Sequence, residues 1–221
     1  MVALNYFFHD ASSLHWSLAR KTPLDEATAD PDPIRQFRKW FDVALQSGLK
    51  EPTAMTLATA TRAGRPAARV VLLKSVDERG FIFYTNFMSR KGRELAGNPR
   101  AALVFYWAEL EWQVRVTGRV VKISDQESDA YFATRPLGSR FSALISRQSA
   151  VIASAAVLKE KLAKIAARYP EGNPPRPKHW GGYCVGPDEF EFWQAGRDRL
   201  HNRLRYRRRR DGSWKMERLS P

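Results

Sequence analysis

From residue 32 onward the apolar positions follow two periods, 3.6 and two, and the switches between them mark out the elements. Asp32-Pro33 reads as a helix start, with Asp as N-cap and Pro at the first helical position. Ile34, Phe37, Trp40, Phe41, Ala44 and Leu45 form its apolar stripe, and Gly48 ends it. The period then falls to two. Strands are predicted over 54–60 and 67–75, joined by a turn at 62–65 that contains Gly64. Asp77-Glu78-Arg79-Gly80 turns the chain into a strand over 81–85, a hairpin spacing that indicates antiparallel pairing. Ser89 can cap a short helix that closes at Gly97-Asn98-Pro99.

Two long strands follow, over 100–107 and 111–122. Ser124-Asp125-Gln126-Glu127 has the capping-box form, so a helix should run to Thr134, where Arg135-Pro136 breaks it. Residues 137–150 read as a polar segment. Ser154 can cap another helix, with Val157, Leu158, Leu162, Ile165 and Ala166 along one side. Strands over 182–185, 190–194, 200–206 and 214–219 complete the chain. The balance is antiparallel sheet with a few packed helices. It predicts one α+β domain built on a barrel over 32–221, behind a poorly anchored arm of residues 1–31.

Composition narrows the class. At 221 residues, 43% of them hydrophobic, the chain can bury a substantial core. Its single cysteine, Cys184, rules out an internal disulfide and a multi-cysteine metal site; no metal is expected. No apolar run reaches membrane-span length and no signal peptide is read, so a cytoplasmic location is expected. The net charge of +14 predicts attraction to anions. A nucleic-acid-binding module using residues 203–210, with the run Arg207-Arg208-Arg209-Arg210, is the remote alternative, and no nucleic-acid or membrane partner is expected. The module reading rests on charge alone, because the aromatics are spaced as core and not as a stacking row. The run by itself reads as a solvated turn.

Smaller features carry chemistry. Over 199–206 a period of two puts Arg199, His201 and Arg203 on one face. The row is either a charge-protected edge or the wall of a site for something anionic or planar. Arg69 and Lys74 stand five residues apart, on opposite faces unless a bulge or strand end re-aims one. Ser89-Arg90-Lys91 puts backbone N–H groups and two cations at a helix start, a good phosphate site. There is no GxGxxG and no P-loop.

In order and spacing these segments resemble the pyridoxine 5′-phosphate oxidase family of FMN-dependent flavoenzymes. The resemblance is carried by Arg69-Val70-Val71-Leu72-Leu73-Lys74, Phe83-Tyr84-Thr85-Asn86, Ser89-Arg90-Lys91 and Gln113-Val114. It continues in Tyr131-Phe132 with Arg135-Pro136, Arg147-Gln148-Ser149, Trp180-Gly181-Gly182, Glu191-Phe192-Trp193-Gln194 and Arg199-Leu200-His201. It implies a split β-barrel and a homodimer with FMN at the interface. By resemblance, FMN is held by Arg69, Val70, Val71, Leu72, Leu73, Lys74, Tyr84, Thr85, Arg90, Lys91 and Gln113, with Gln148, Ser149, Trp193 and Arg203. Lys74, Tyr131, Arg135 and Ser139 match positions for the substrate phosphate. Arg199 and His201 match the positions facing the substrate's pyridine ring. The reaction implied is oxidation of pyridoxine or pyridoxamine 5′-phosphate to pyridoxal 5′-phosphate with O2 as acceptor. Trp193 can equally be read as barrel core.

The chain departs from the family pattern at four places. Ser17-Leu18-Ala19-Arg20-Lys21 lacks the arm's usual tyrosine, and Arg140-Phe141-Ser142-Ala143 replaces Gln-Ile-Gly-Ala. Trp112 stands where Arg is common, and Asn202 where Asp is common. These changes spare the phosphate positions and leave room for another substrate, as in the phenazine-pathway oxidases that resemble this family.

Overall fold

The computed structural model describes residues 22–221. Departures within residues 1–21, including Ser17 to Lys21, lie outside the described residues. Where one domain over 32–221 is expected, contacts divide the chain into two compact units. One holds residues 22–52 with Tyr106–Val114 and Phe190–Pro221; the other holds Thr53–Phe105 and Arg115–Glu189.

The second unit is built on an antiparallel sheet. Its strands are β1 (Ala54–Ala60), β2 (Pro66–Leu72), β3 (Ser75–Asp77), β4 (Gly80–Asn86) and the greater parts of β5 (Arg100–Trp107), β6 (Trp112–Lys122) and β7 (Trp180–Gln194), whose remaining residues fall in the first unit. They lie in the order β2-β1-β5-β6-β7-β4-β3. Met55, Leu57, Leu103 and Phe105 alternate inward from β1 and β5, and Phe81 and Phe83 join them from β4. Helix α1 spans Pro33–Gln46, α2 Arg90–Gly97, α3 Asp125–Thr134, α4 Leu137–Ile145 and α5 Ala156–Arg168.

Three features depart from the pattern. The strand expected over 67–75 stops at Leu72, because the backbone changes partners there. The Leu73 N–H donates to Thr53 O and the Lys74 N–H to Ile82 O, each at 2.9 Å. The polar segment after Pro136 folds into α4, which buries Phe141 and Ala143. Its serines masked the helix, since their hydroxyls favour turns and caps. The strands expected at 182–185 and 190–194 are one 15-residue strand. Gly118 allows this close passage: a Cβ there would lie 2.1 Å from the Gly186 carbonyl oxygen. Asp188 is then held by Arg100 at 2.5 Å and Thr117 at 3.2 Å.

The capping box of α3 forms as expected, with the Glu127 N–H donating to Ser124 Oγ at 3.1 Å. Ser154 does not cap α5, which starts after Ala155 without a side-chain cap and has no buried residue.

In the first unit, α1 lays Phe37 and Trp40 onto aromatic partners. Trp40 stacks on Trp112 at 4.3 Å between centroids, and Phe192 meets Trp40 edge-on at 5.4 Å. Trp112, the departure from the family's usual Arg, is thus a core residue. The segment before α1 is tied down from Thr22 on. Gln194 Oε1 accepts from the Leu24 N–H at 2.7 Å, and Tyr206 donates to Asp30 O at 2.8 Å. The last strands are β8 (Asn202–Arg208) and β9 (Trp214–Arg218), so the strand expected from 200 begins two residues late. Arg207 bonds Glu217 at 3.0 Å from within β8, and Arg208 lies over the Trp214 ring. The run expected as a solvated turn therefore begins inside a paired strand.

Candidate active site

A cavity of about 540 Å³ opens in the second unit, a volume suited to small ligands. β2 is the end strand of the sheet order and buries none of its residues. Its Val70 is 65% exposed and lines the cavity with Val71 and Leu72. An exposed aliphatic wall of this kind suits a planar ring. The change of partners after Leu72 re-aims the chain, so that Arg69 and Lys74 line the same cavity.

Arg69 is held from behind. It donates from Nη1 to Leu57 O at 3.2 Å and to Thr59 Oγ1 at 2.5 Å, and from Nη2 to Glu94 Oε2 at 3.2 Å. The Thr59 hydroxyl in turn donates to Glu94 Oε2 at 2.5 Å, and Arg90 Nε donates to Glu94 Oε1 at 2.8 Å. Burial favours the neutral Glu94 carboxyl, yet the bonds from Thr59, Arg90 and Arg69 outweigh it and hold its pKa below the ordinary value. Two arginines thus share one buried carboxylate, leaving net positive charge beside the cavity.

Lys91 comes from the first turn of α2. Its ammonium donates to three neutral oxygens: Thr85 Oγ1 and Gln148 Oε1 at 3.1 Å each, and Ser89 Oγ at 3.4 Å. Burial and then the Arg69 charge lower its pKa. The Arg90 N–H donates to Ser149 Oγ at 3.2 Å. This cluster of two cations, hydroxyls and a carboxamide at a helix start is a donor set for a phosphate dianion.

A second group faces the same cavity: Lys74, Tyr131, Arg135, Ser139 and Trp180. Tyr84 and Tyr131 stack at 3.8 Å, and Trp180 lies nearly parallel to both. Arg135 sits 4.5 Å over the Trp180 ring. Burial lowers the Arg135 pKa, against the pull of Tyr131, and raises that of Tyr131. Burial pushes the Tyr84 phenol up to about 12. The Arg135 Nη1 atom is buried without a hydrogen-bond partner. A buried unpaired donor costs about 1–3 kcal/mol, which an anionic ligand relieves.

Twelve of the expected site residues meet in this cavity: Arg69, Val70, Val71, Leu72, Lys74, Tyr84, Thr85, Lys91, Tyr131, Arg135, Ser139 and Gln148. Leu73 does not line it; its side chain is in the core. Arg90 and Ser149 are linked to it through α2. Gln113, Trp193, Arg199, His201 and Arg203 belong to the first unit. There, the expected face of Arg199, His201 and Arg203 is corrected: Arg199 precedes β8 in a left-handed conformation, φ 62°, so the alternation starts only at Asn202. His201 lies against Trp193 at 4.6 Å and accepts at Nδ1 from the Gly196 N–H at 3.2 Å. Arg203 bonds Glu191 through Nε at 2.9 Å and Nη2 at 2.8 Å. Asn202 accepts from Arg218 at 3.2 Å.

Sequence reasoning gave no role to Trp180, Asn86, Ser142, Ala143 or Ser146, which also line the cavity. It also missed Thr59 and Glu94 behind Arg69. The spacing of four between Arg90 and Glu94 was the available signal for the latter.

Fold and cavity together define a class: an antiparallel-sheet protein with flanking helices whose cavity carries two groups of anion donors. Residues 41–169 match the family model described as pyridoxamine 5′-phosphate oxidase. Residues 180–221 match that of the pyridoxine 5′-phosphate oxidase C-terminal dimerisation region. A pyridoxine/pyridoxamine 5′-phosphate oxidase of Burkholderia mallei (strain SAVP1) is 57% identical over 203 residues, covering 91% of this chain and 94% of the relative. One of Burkholderia thailandensis is 56% identical over the same length. Among solved structures, PhzG from Burkholderia lata 383, in complex with tetrahydrophenazine-1-carboxylic acid, has a TM-score of 0.86 and 35% identity. It covers 91% of this chain and 98% of its own. A pyridoxamine 5′-phosphate oxidase-related, FMN-binding protein from Nostoc punctiforme has a TM-score of 0.68 at 18% identity, covering 87% and 100%, and shares the fold.

The chain belongs to the pyridoxamine 5′-phosphate oxidase family: it is an α+β split-barrel oxidase, and FMN is the cofactor that goes with the family. The lining fits the chemistry of that cofactor: Arg69, Lys91, Thr85 and Gln148 offer donors for a phosphate, and the Val70–Leu72 wall offers an apolar surface for a ring. Among the described residues, no helix is long and apolar enough to cross a membrane.

Proposed function

We propose that this protein oxidises pyridoxine 5′-phosphate or pyridoxamine 5′-phosphate to pyridoxal 5′-phosphate, as a cytoplasmic homodimer in vitamin B6 metabolism. O2 takes up the two electrons and two protons to give H2O2, and the amine substrate also releases ammonia by hydrolysis. The chemistry FMN supplies when bound is acceptance of a hydride from the substrate's C4′ carbon and reoxidation by dioxygen. This chain's residues bind and orient. Arg69 and Lys91 hold one phosphate. Lys74 and Arg135, with the Tyr131 and Ser139 hydroxyls, hold the substrate's phosphate. Arg199 and His201 face the pyridine ring, and Gln113, Trp193 and Arg203 complete the flavin site in the dimer.

The observation that carries this reading is Arg135. It is a half-buried guanidinium over the Trp180 ring, with one buried donor atom unpartnered, in the same cavity as Lys74, Tyr131 and Ser139. Such a group suits a phosphate on the substrate in addition to that of the cofactor. The 57% identity over nearly all of the chain to a B6-phosphate oxidase supports the same substrate. A second reading keeps FMN and takes a phenazine-type carboxylic acid; the TM-score of 0.86 to PhzG favours it. Under the proposal, anaerobic addition of pyridoxamine 5′-phosphate bleaches the flavin absorbance and air restores it. Flavin that stays oxidised with both B6 phosphates would contradict the proposal.

A further inference from the structure

A second concave surface in the same unit, of about 850 Å³, is lined by Thr61, Arg62, Arg65, Arg90, Arg93 and Glu94, among others. The four arginines come from two fixed elements. Arg62 and Arg65 ride on the β1–β2 turn. The Thr61 N–H donates to Arg65 O at 2.9 Å, the Arg65 N–H to Thr61 Oγ1 at 3.1 Å, and Gly64 holds φ at 80°. Arg90 and Arg93 stand three apart on α2, hence on one face. Arg93 is pinned to Met88 O at 2.5 Å and Arg90 to Glu94 at 2.8 Å. All four arginines are exposed and converge around one hollow, whose single carboxylate is already shared between Arg69 and Arg90. Four like charges at such close quarters repel, so the arrangement gains most from an anion that bridges them.

We propose that this hollow is a binding site for a compact oligophosphate, of the pyrophosphate or nucleoside-polyphosphate class, which adjoins the cofactor and substrate cavity and shares Arg90 with the expected FMN site. One phosphate spans Arg62 and Arg65, and the next spans Arg90 and Arg93. Two forked guanidiniums per phosphate match that geometry better than lysines do. The site communicates with the cofactor through Glu94, which lines the hollow and holds Arg69 in the cavity. An anion that draws Arg90 away from Glu94 leaves the carboxylate bearing on Arg69 alone. The phosphate in the cavity then meets a weaker positive field. Occupancy of the hollow therefore weakens FMN binding, and by linkage FMN weakens the oligophosphate by the same factor.

The test uses FMN-loaded protein, whose phosphate site is filled, titrated calorimetrically with pyrophosphate, orthophosphate and sulfate at constant ionic strength. One pyrophosphate should bind per chain, at least tenfold more tightly than orthophosphate. Arg62→Ala and Arg65→Ala should each weaken it at least fivefold, with flavin content unchanged. Pyrophosphate at a concentration that half-saturates the wild type should raise its FMN dissociation constant, and should raise that of Arg62→Ala by clearly less. The proposal is overturned if sulfate and pyrophosphate bind alike, if the arginine variants bind as wild type does, or if loaded protein binds no pyrophosphate.

Discussion

Replacing Arg135 with alanine separates the two anion groups of the cavity. Arg135 is the C-cap of α3 and lies 4.5 Å over Trp180, with Nη1 buried and unpartnered. In the free protein the substitution removes a cation–π contact and also removes a buried donor that lacks an acceptor, so the two effects largely offset. Stability should therefore change by under about 1 kcal/mol, a shift of a few degrees at most for a chain of this size. With a phosphorylated substrate bound, the same guanidinium makes charge-assisted bonds of about 1.5–3 kcal/mol in all. Losing them should lower kcat/KM about 10- to 150-fold, mainly through KM. The assay is oxygen uptake over a range of pyridoxamine 5′-phosphate, beside a fluorescence titration with FMN, whose affinity should not move. Arg135→Lys should recover only part of the loss, because an ammonium cannot lie flat on Trp180. An unchanged KM, or a lost flavin, would refute the assignment of Arg135 to the substrate.

Glu94→Gln leaves Arg69 and Arg90 without their carboxylate. The apoprotein should lose about 1–3 kcal/mol, less than for a fully buried pair because Arg69 is 20% exposed. FMN should raise the melting temperature of this variant more than that of the wild type, and riboflavin, lacking the phosphate, should not. Because burial and Arg69 lower the Lys91 pKa, FMN affinity should fall as pH rises, with an onset below the ordinary lysine value of 10.5. The lysine loses the charge that attracts the phosphate, and Lys91→Arg should flatten the profile measured by flavin fluorescence. Ser124→Ala removes the capping box of α3 and should cost about 1 kcal/mol by thermal melting, with FMN affinity unchanged.

Much of this architecture is legible in the sequence. Asp32 and Ser89 cap their helices where expected, and β1 and β5 match their predicted spans, because local signals and tertiary pattern agree there. The misses have physical causes. Helix α4 is serine-rich, and its order comes from tertiary bonds: Asn86 Nδ2 donates to Ser146 O at 3.0 Å, and His179 Nε2 lies 3.1 Å from Ala143 O. β7 runs through Gly186 and Pro187, which read as a break. The cavity residues on β2, α2 and α3 were found by resemblance, yet Glu94 was not, since a carboxylate behind an arginine leaves no mark in a motif. Strand alternation does not hold at Arg199, because the chain turns there through two left-handed residues, Asp198 and Arg199.

The proposed substrates of this oxidase are the B6 phosphates. Steady-state oxygen uptake by FMN-loaded protein, with pyridoxine 5′-phosphate, pyridoxamine 5′-phosphate and a tetrahydrophenazine-1-carboxylic acid side by side, tests this assignment most directly. Uptake is expected with at least one B6 phosphate, matched by peroxide and pyridoxal 5′-phosphate, at a kcat/KM well above that for the phenazine acid. Uptake with the phenazine acid alone, or with none of the three, would contradict it.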